Sequence, residues 1–519
     1  MSPMIQVSTT HRALILPPRN DVLNLIPHTK RLSDGRMVVP HGYAETRLLQ
    51  NLGLPVPAPI LHHYDWAGGK PFESQRQTAA LLTTNPRAYV LNGMGTGKTK
   101  SALWAFDWLR SQRQAQRMLV VAPLSTLTFT WLREAFSTVP HLKVGVLHGS
   151  REKRLRLLSE QHDVYVVNHD GLEIIEPALR ERPDIDVICI DELATYRNGR
   201  SRRSKVAAKV LKGRNWGWGM TGSPTPKEPT DAFGQVRLLT PGNLDGQAFT
   251  RFREQVMRKV TNWKWVAKDD ATETVHRLMQ PAVRYTLDDV VELPEMVPLP
   301  VEVPLGPKQA EVYAKLEEHS FSLVDNGTVV AMNEGACRVK LMQVACGWVY
   351  TNQKGITRLD PEPRIDALLD VLESGIGKTI VFVPFTHALN GVAEEVAKAG
   401  YSLEVIDGST AAGRRNKAFD RFQNGTDLDV LVAHPQTMAH GLTLTAADTI
   451  VWFAPTEDLE IFDQANARIR RVGQKRKQRL VMLQGTAIER RAYRRLQTKQ
   501  NMQGLLLEMY EEQTRRKKT

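Results

Sequence analysis

Cysteine is scarce in this chain: Cys189, Cys337 and Cys346 are the only three among 519 residues. Three thiols cannot build a disulfide framework, and Cys189 falls in an apolar strand pattern where a small buried thiol fits. Long apolar runs are also missing. No stretch approaches the ~20 residues of a membrane-spanning helix, and the opening MSPMIQVSTTHR lacks the apolar centre of a secretory signal. The expectation is a soluble, intracellular protein without a membrane partner, in a reducing cytoplasm. His62 and His63 are adjacent but have neither cysteine nor further histidine close in sequence, so a metal-ligand pattern is not met. Acidic residues are outnumbered, 56 against 69 lysines and arginines, giving a formal charge of +13 and a pI near 9.6. That balance favours a polyanionic partner over a small acidic one.

What is present is concentrated in residues 88–99, AYVLNGMGTGKT. An apolar run, Tyr89, Val90 and Leu91, reads as a buried strand, and Gly93, Gly95 and Gly97 follow at once. Glycines let backbone N–H groups turn inward around an anion; Lys98 adds a point charge for the β- and γ-phosphates, and the Thr99 hydroxyl suits Mg²⁺. A helix predicted over 98–109 aims its positive end at the same anion. The nucleotide-binding candidates are therefore Asn92, Gly93, Met94, Gly95, Thr96, Gly97, Lys98 and Thr99. Asn92 stands where a strict phosphate loop has glycine, a departure common in helicase-type ATPases. Upstream, Gln75 offers a carboxamide able to read an adenine edge.

Apolar strands then alternate with helical stretches, the rhythm of a parallel sheet covered on both faces. Strands are predicted over 118–122, 144–147, 164–167 and 187–190, with helices over 126–136 and 151–159. Asp191 and Glu192 follow the last of these strands. Ligands in such sheets sit at the carboxyl ends, so both carboxylates are delivered to the edge that carries Lys98: Asp191 for Mg²⁺, Glu192 for the attacking water. WGMTGSP at 218–224 reads as a strand closing on a small-residue turn, with Thr221 and Ser223 as alternative γ-phosphate sensors. Residues 1–70 are proline-punctuated and match no chemistry, beyond one helix over 44–51. A proline-rich passage at 281–307 reads as an extended connection. A second α/β unit follows, with strands over 379–383, 402–406, 429–432, 449–453 and 480–483 and no second phosphate loop. A helix over 459–470 places Gln464, Arg468 and Arg471 at spacings of four and three, hence on one face, where two guanidiniums can stabilise a transferring phosphoryl group.

The ordered set Gln75, GMGTGKT, APLSTLTFTW (122–131), DELA (191–194), MTGSP, IDGST (406–410), HGLTLTAAD (440–448) and QANARIRRVGQ closely resembles the Swi/Snf-like branch of superfamily 2 helicases. The resemblance runs from about residue 71 to 495. It implies an α/β fold with two RecA-like parallel-sheet lobes in tandem and a small N-terminal accessory region. The implied divisions are 1–70, accessory; 71–280, lobe 1; 281–307, linker; 308–495, lobe 2; 496–519, C-terminal helix and basic tail. It implies an ATPase using ATP and Mg²⁺, with Lys98, Asp191, Glu192, Arg468 and Arg471 catalytic, Thr99 and Asp191 at the metal, and Gln75, Gly441 and Gln464 adding to the nucleotide site. Ser125, Thr126, His169, Thr410 and Thr443 become candidate contacts to the nucleic-acid backbone. One departure stands out: the family's acidic box has histidine where this chain has Ala194. The chain also lacks the long insertions of eukaryotic remodellers and looks like the compact phage and bacterial type.

The reading is an ATP-dependent translocase coupling DNA-stimulated hydrolysis to movement along double-stranded or branched DNA. A strand-separating or branched-DNA-remodelling helicase, a non-hydrolysing ATP-dependent clamp, and RNA as the track stay open as alternatives. Two basic clusters suit sequence-independent phosphate contacts: Arg200, Arg202, Arg203, Lys205, Lys209 and Lys212, and Lys475, Arg476, Lys477 and Arg479. Trp263 and Trp265 either stack on bases or pack under a loop.

Overall fold

Strands rich in valine and isoleucine have no polar face to offer solvent, and in this chain they are buried on both sides. The computed structural model describes residues 5–261, 264–325, 334–350, 356–438 and 443–516. It divides into two units, residues 1–290 with 503–519, and residues 291–502.

The first unit holds a seven-stranded sheet, in spatial order Ala282–Val283, Arg87–Val90, Trp216–Met220, Ile185–Asp191, Arg117–Ala122, Val164–Asn168 and Val144–Leu147. Every pairing in it is parallel. One face is covered by a core that includes Ile175, Tyr196 and Phe252, the other by one that includes Trp104, Phe106 and Trp131. The second unit repeats the plan with six parallel strands, in order Met296–Glu302, Gln478–Gln484, Ala447–Trp452, Lys378–Phe382, Val430–Ala433 and Leu403–Ile406. Each unit thus has the α/β architecture expected of a RecA-like lobe. Among the described residues no helix is long and apolar enough to cross a membrane.

A polar knot locks the second unit. Arg364 and Glu489, 2% and 0% exposed, pair at 2.7 Å. Arg364 also donates to the Phe453 carbonyl at 2.6 Å. Glu489 accepts from the Gly485 and Thr486 amides at 2.9 and 3.0 Å. Burying two charges is tolerated because they face each other.

The N-terminal region, for which no fold was legible, forms a small antiparallel sheet in the order Gln6–Ser8, Ala13–Leu16, Met37–Pro40, Lys30–Arg31. Leu14, Leu16, Val22, Val39, Leu49 and Val56 fill its own core. The expected helix over 44–51 is present as Tyr43–Asn51. Ala58 and Ile60 already belong to the core of the large sheet. Nearby, Trp66 packs edge-on to Trp104, whose indole N–H donates to the Ala67 carbonyl at 2.8 Å.

Two expectations are corrected and one is refined. The passage 281–307 is not a free connection: Ala282–Val283 pairs with the phosphate-loop strand and Met296–Glu302 with Gln478–Gln484. Both are edge strands, where Pro298 and Pro300 can sit without breaking a central ladder. The helix over 126–136 is a π-helix, Leu127–Leu132, followed by the α-helix Arg133–Thr138. The helix over 459–470 stops at Asn466, so Gln464 is helical while Arg468 and Arg471 lie in the turn beyond. There the carbonyls find other donors. Leu444 N–H bonds Arg468 O at 3.0 Å, and the Gln474 carboxamide bonds the Ile469 and Ala447 carbonyls at 3.1 and 2.8 Å.

Candidate nucleotide site

The phosphate loop joins the strand Arg87–Val90 to the helix Lys98–Ser111. Gly95 and Gly97 take left-handed φ of +78° and +83°. At Gly97 a side chain is excluded twice, since a Cβ there would also stand 2.1 Å from Gln75 Nε2. The helix starts with no side-chain cap, so its first N–H groups point at the loop's concave side, the arrangement that receives an anion. Lys98 Nζ lies in the curl, donating to the Asn92 and Gly93 carbonyls at 2.9 and 3.0 Å.

The loop is held from outside by side chains that the sequence read as ligand contacts. Asn92, 2% exposed, donates to Thr78 Oγ1 at 2.9 Å and accepts from Tyr285 N–H at 3.0 Å. Its carboxamide therefore ties the loop to the preceding helix Glu73–Thr84 and to the chain after the edge strand. Gln75 donates to the Thr96 carbonyl at 3.1 Å and accepts from Phe72 N–H at 3.0 Å, capping its own helix. Half of its hydrogen-bonding capacity is thus spent on the loop and the cap. Thr96 Oγ1 donates to Gly93 O at 2.9 Å, and Gly93 N–H to Tyr285 O at 2.8 Å. The turn at 221–223 lies alongside: Thr221 N–H bonds Val90 O at 3.0 Å, and a Cβ on Gly222 would meet Asn92 O at 3.6 Å and Met94 Cγ at 3.8 Å. Thr221 Oγ1 accepts from Ser223 N–H at 3.2 Å, so its hydroxyl serves the turn itself.

Asp191 closes the strand Ile185–Asp191. Burial raises its pKa, while the Trp131 indole N–H, the Lys98 charge and the Glu192 N–H oppose that rise. Trp131 Nε1 donates to Oδ2 at 3.0 Å and Glu192 N–H to Oδ1 at 3.1 Å. The influence of Lys98 on Asp191 joins the loop and the acidic box into one electrostatic unit. Glu192 adopts φ 51°, ψ 56°, a left-handed conformation that costs a non-glycine residue on the order of 1 kcal/mol and gathers at functional positions. Thr99 sits half-buried in the first helical turn. Its hydroxyl and the Asp191 carboxylate are hard oxygen donors of the kind Mg²⁺ takes beside phosphate and water. Among the described residues no group of three His, Cys, Asp or Glu forms an all-protein metal cage, which agrees with so sparse a donor set.

Sequence reasoning missed Trp131. It lies inside the quoted APLSTLTFTW, but nothing local signals a contact made across 60 residues, from a π-helical turn. It also missed how the box is braced without the family's histidine. Two residues past Ala194, the Tyr196 hydroxyl bonds His169 Nδ1 at 3.0 Å, with the rings edge-on at 5.4 Å. His169 is thereby fastened to the turn that follows the acidic pair.

The remaining candidates stand as follows. Thr126 is buried, with its hydroxyl on the Pro123 carbonyl at 2.9 Å, which turns it inward as a loop brace. Ser125 beside it is half-buried. In the second unit, Thr410 Oγ1 donates to Asp407 Oδ1 at 3.0 Å within a tight turn. Thr443 is exposed and accepts from Arg471 Nη1 at 3.4 Å. Arg471 otherwise donates to Ala467 O at 3.2 Å, and burial pushes its guanidinium down to about 10. Arg468 is 2% exposed, as is fitting for a cation held in place, and Gln464 is buried with Nε2 3.3 Å from Glu460 Oε1. Gly441 and Trp263 lie outside the described residues.

Two family models and several known proteins match this chain. The SNF2-related domain matches residues 85–345, and the helicase conserved C-terminal domain matches residues 363–473. A protein of Acyrthosiphon pisum secondary endosymbiont phage 1, "Putative protein p41", is 26% identical over 400 residues, covering 74% of this chain and 85% of that one. The mouse chromodomain-helicase-DNA-binding protein 1-like is 24% identical, with 80% of this chain and 47% of that protein covered. An uncharacterised ATP-dependent helicase of Mycoplasma pneumoniae is 23% identical over 74% of this chain and 36% of its own length. Of these last two relatives the chain spans less than half. Among solved structures, the Sulfolobus solfataricus SWI2/SNF2 ATPase core in complex with dsDNA aligns with a TM-score of 0.41 and 20% identity over 87% of this chain and 97% of that one. With half of its length matched by the SNF2-related domain and a helicase C-terminal domain behind it, the chain belongs to the SNF2 family of Swi/Snf-type ATPases.

Proposed function

We propose that this protein hydrolyses ATP in response to duplex DNA and uses the cycle to move along it. The observation that carries the hydrolytic half is Asp191: a buried carboxylate, kept in one orientation by Trp131 and in the field of Lys98, beside a glycine loop at an uncapped helix start. In this reading the loop from Gly93 to Gly97 and Lys98 bind the phosphates, and the Gln75 carboxamide has capacity left for adenine. Thr99 and Asp191 would hold Mg²⁺, which would supply charge neutralisation at the phosphates. Glu192 orients the attacking water and takes its proton. Arg471, desolvated among neutral acceptors, is a cation suited to an incoming anion, and with Arg468, Gln464 and Gly441 it serves the same phosphates during turnover.

DNA as the track is supported by the +13 charge and by the naming of the mouse relative as a helicase-DNA-binding protein. The phage and mycoplasma relatives fit a place of action in the cytoplasm of a bacterium or an infected host. The test is ATP turnover with duplex, forked, single-stranded and RNA ligands, in parent, Lys98→Ala and Glu192→Gln proteins. Loss of about 100-fold or more in both variants is expected. Parental turnover in either variant would refute the site; absence of stimulation by duplex would refute the track. Displacement of a triplex-forming strand from uninterrupted duplex, without unwinding of a fork, separates a translocase from a strand-separating helicase.

A further inference from the structure

Between the helices Phe249–Val256 and Ala271–Leu278 the chain makes a two-stranded antiparallel ribbon, Met257–Lys259 with Trp265–Ala267, which joins no larger sheet. Its root is fixed. Met257 is buried in the lobe core opposite Ala267, and Trp265 and Ala267 pack against the same core. The Arg253 guanidinium lies 4.2 Å from the Trp265 ring centroid, a stacking that clamps the ribbon to the preceding helix.

Side chains alternate across a ribbon, so the face opposite Met257 and Trp265 carries Arg258 paired with Val266. Beyond that pair, Val260 N–H bonds the Lys264 carbonyl at 2.9 Å, and Lys268 follows at the other end. Arg258, Lys264 and Lys268 are exposed, and Val260 is 54% exposed between them. Residues 255–268 contain four basic side chains and no acidic one, bordered by Glu254 before them and by Asp269 and Asp270 after. Among the described residues none of Arg258, Lys259, Lys264 and Lys268 takes part in an ion pair. The basic helix Arg202–Leu211 contrasts with this: its Arg203 pairs with Asp170 at 2.6 Å and its Arg202 with Glu173. Lysines also keep a free strand edge from pairing with another chain, but carboxylates would serve that end equally, and none occurs. Like charges gathered on a stiff support and left outside any ion pair are relieved by a polyanion.

We propose that this ribbon is a docking surface for a nucleic-acid duplex, gripping its phosphates through Arg258, Lys264 and Lys268. A two-stranded ribbon is of a size that a duplex major groove admits. The contact proposed is to backbone phosphates, which carry no base sequence. The inference rests on the DNA reading above and adds a contact outside the residues expected from the family motifs.

The experiment compares the full-length parent with R258Q/K264Q/K268Q for binding to a labelled DNA duplex across a salt series. The variant is expected to lose at least about 10-fold in affinity at low salt, and its log–log salt slope to shrink by about 3, near one per cation removed. ATP turnover without DNA should stay at the parental rate, since none of the three touches the nucleotide site. Independently, a photo-cross-linking amino acid at position 260 should capture the duplex, while the same group at Leu48, exposed on the N-terminal sheet domain, should not. Unchanged affinity and slope, or no cross-link from position 260, would overturn the inference while leaving the proposed function intact. A parent that binds duplex no better than it binds an unrelated polyanion would overturn both.

Discussion

The indole N–H of Trp131 donates to Oδ2 of Asp191 at 3.0 Å, with both side chains buried. The bond fixes one carboxylate oxygen and leaves the other to face the Glu192 amide. Trp131 is thus a positioning residue for the carboxylate proposed to meet Mg²⁺. Trp131→Phe, which keeps most of the ring and removes the donor, should raise the Mg²⁺ concentration needed for half-maximal ATP turnover several-fold and leave the KM for ATP nearly unchanged. Leu127→Ala in the same π-helix removes packing without touching Asp191, and should lower the melting temperature without moving the Mg²⁺ requirement.

Gly97→Ala should harm nucleotide binding more than folding. The left-handed φ costs about 1–2 kcal/mol for any side chain, and the new methyl would push Gln75 Nε2 off the Thr96 carbonyl. Gln75 is the long flexible partner in that clash, so Gln75→Ala in the same chain should recover part of the lost stability. Thermal unfolding and nucleotide titration on the two single variants and the double variant measure the coupling.

Removing one member of the Arg364–Glu489 pair leaves the other charged and buried, which costs about 3–5 kcal/mol. Arg364→Met and Glu489→Leu should each lower the unfolding midpoint sharply in urea. Combining them should restore a large part of the loss, because no isolated charge remains. If the double variant were as unstable as the sum of the singles, the pairing would not be what holds this corner.

Stability should also fall in mild acid. His41 is 5% exposed. Its Nε2 bonds the Pro57 carbonyl at 2.9 Å, which makes that nitrogen the donor, and its Nδ1 accepts from His63 Nε2 at 2.9 Å. Burial first of all pushes its pKa from 6.5 to about 4. With the folded value below the unfolded one, the unfolded chain binds the extra proton. The stabilising contribution is therefore complete above about pH 6.5 and lost as pH falls through 4. His41→Gln should flatten the dependence of the melting temperature on pH across that window.

Local patterns made much of this protein legible. The phosphate loop and the acidic box are short runs whose residue types and order are set by the chemistry, and the parallel sheets follow from strands that are apolar throughout. What stayed hidden depends on partners distant in sequence. The strands at 282–283 and 296–302 read as a connection because proline marks a break, whereas an edge position tolerates it. The turn carrying Arg468 and Arg471 read as helix because a spacing of three and four is also met by chance, and the bonds from Leu444 N–H to Arg468 O and from Gln474 to Ala447 O reach it from distant sequence. The bond from His63 to His41 joins residues 22 apart, so neighbours in sequence could not announce it.

Asn92 carries one more lesson, for anyone wishing to improve this enzyme by editing it towards the commoner phosphate-loop pattern. Its carboxamide works as a crossbeam between the Thr78 hydroxyl and the Tyr285 amide. Glycine at that position would match the usual consensus, yet it would strike out the beam and take from the buried Tyr285 amide its acceptor. In this scaffold the apparent irregularity is the repair, and restoring the average sequence would weaken the individual protein.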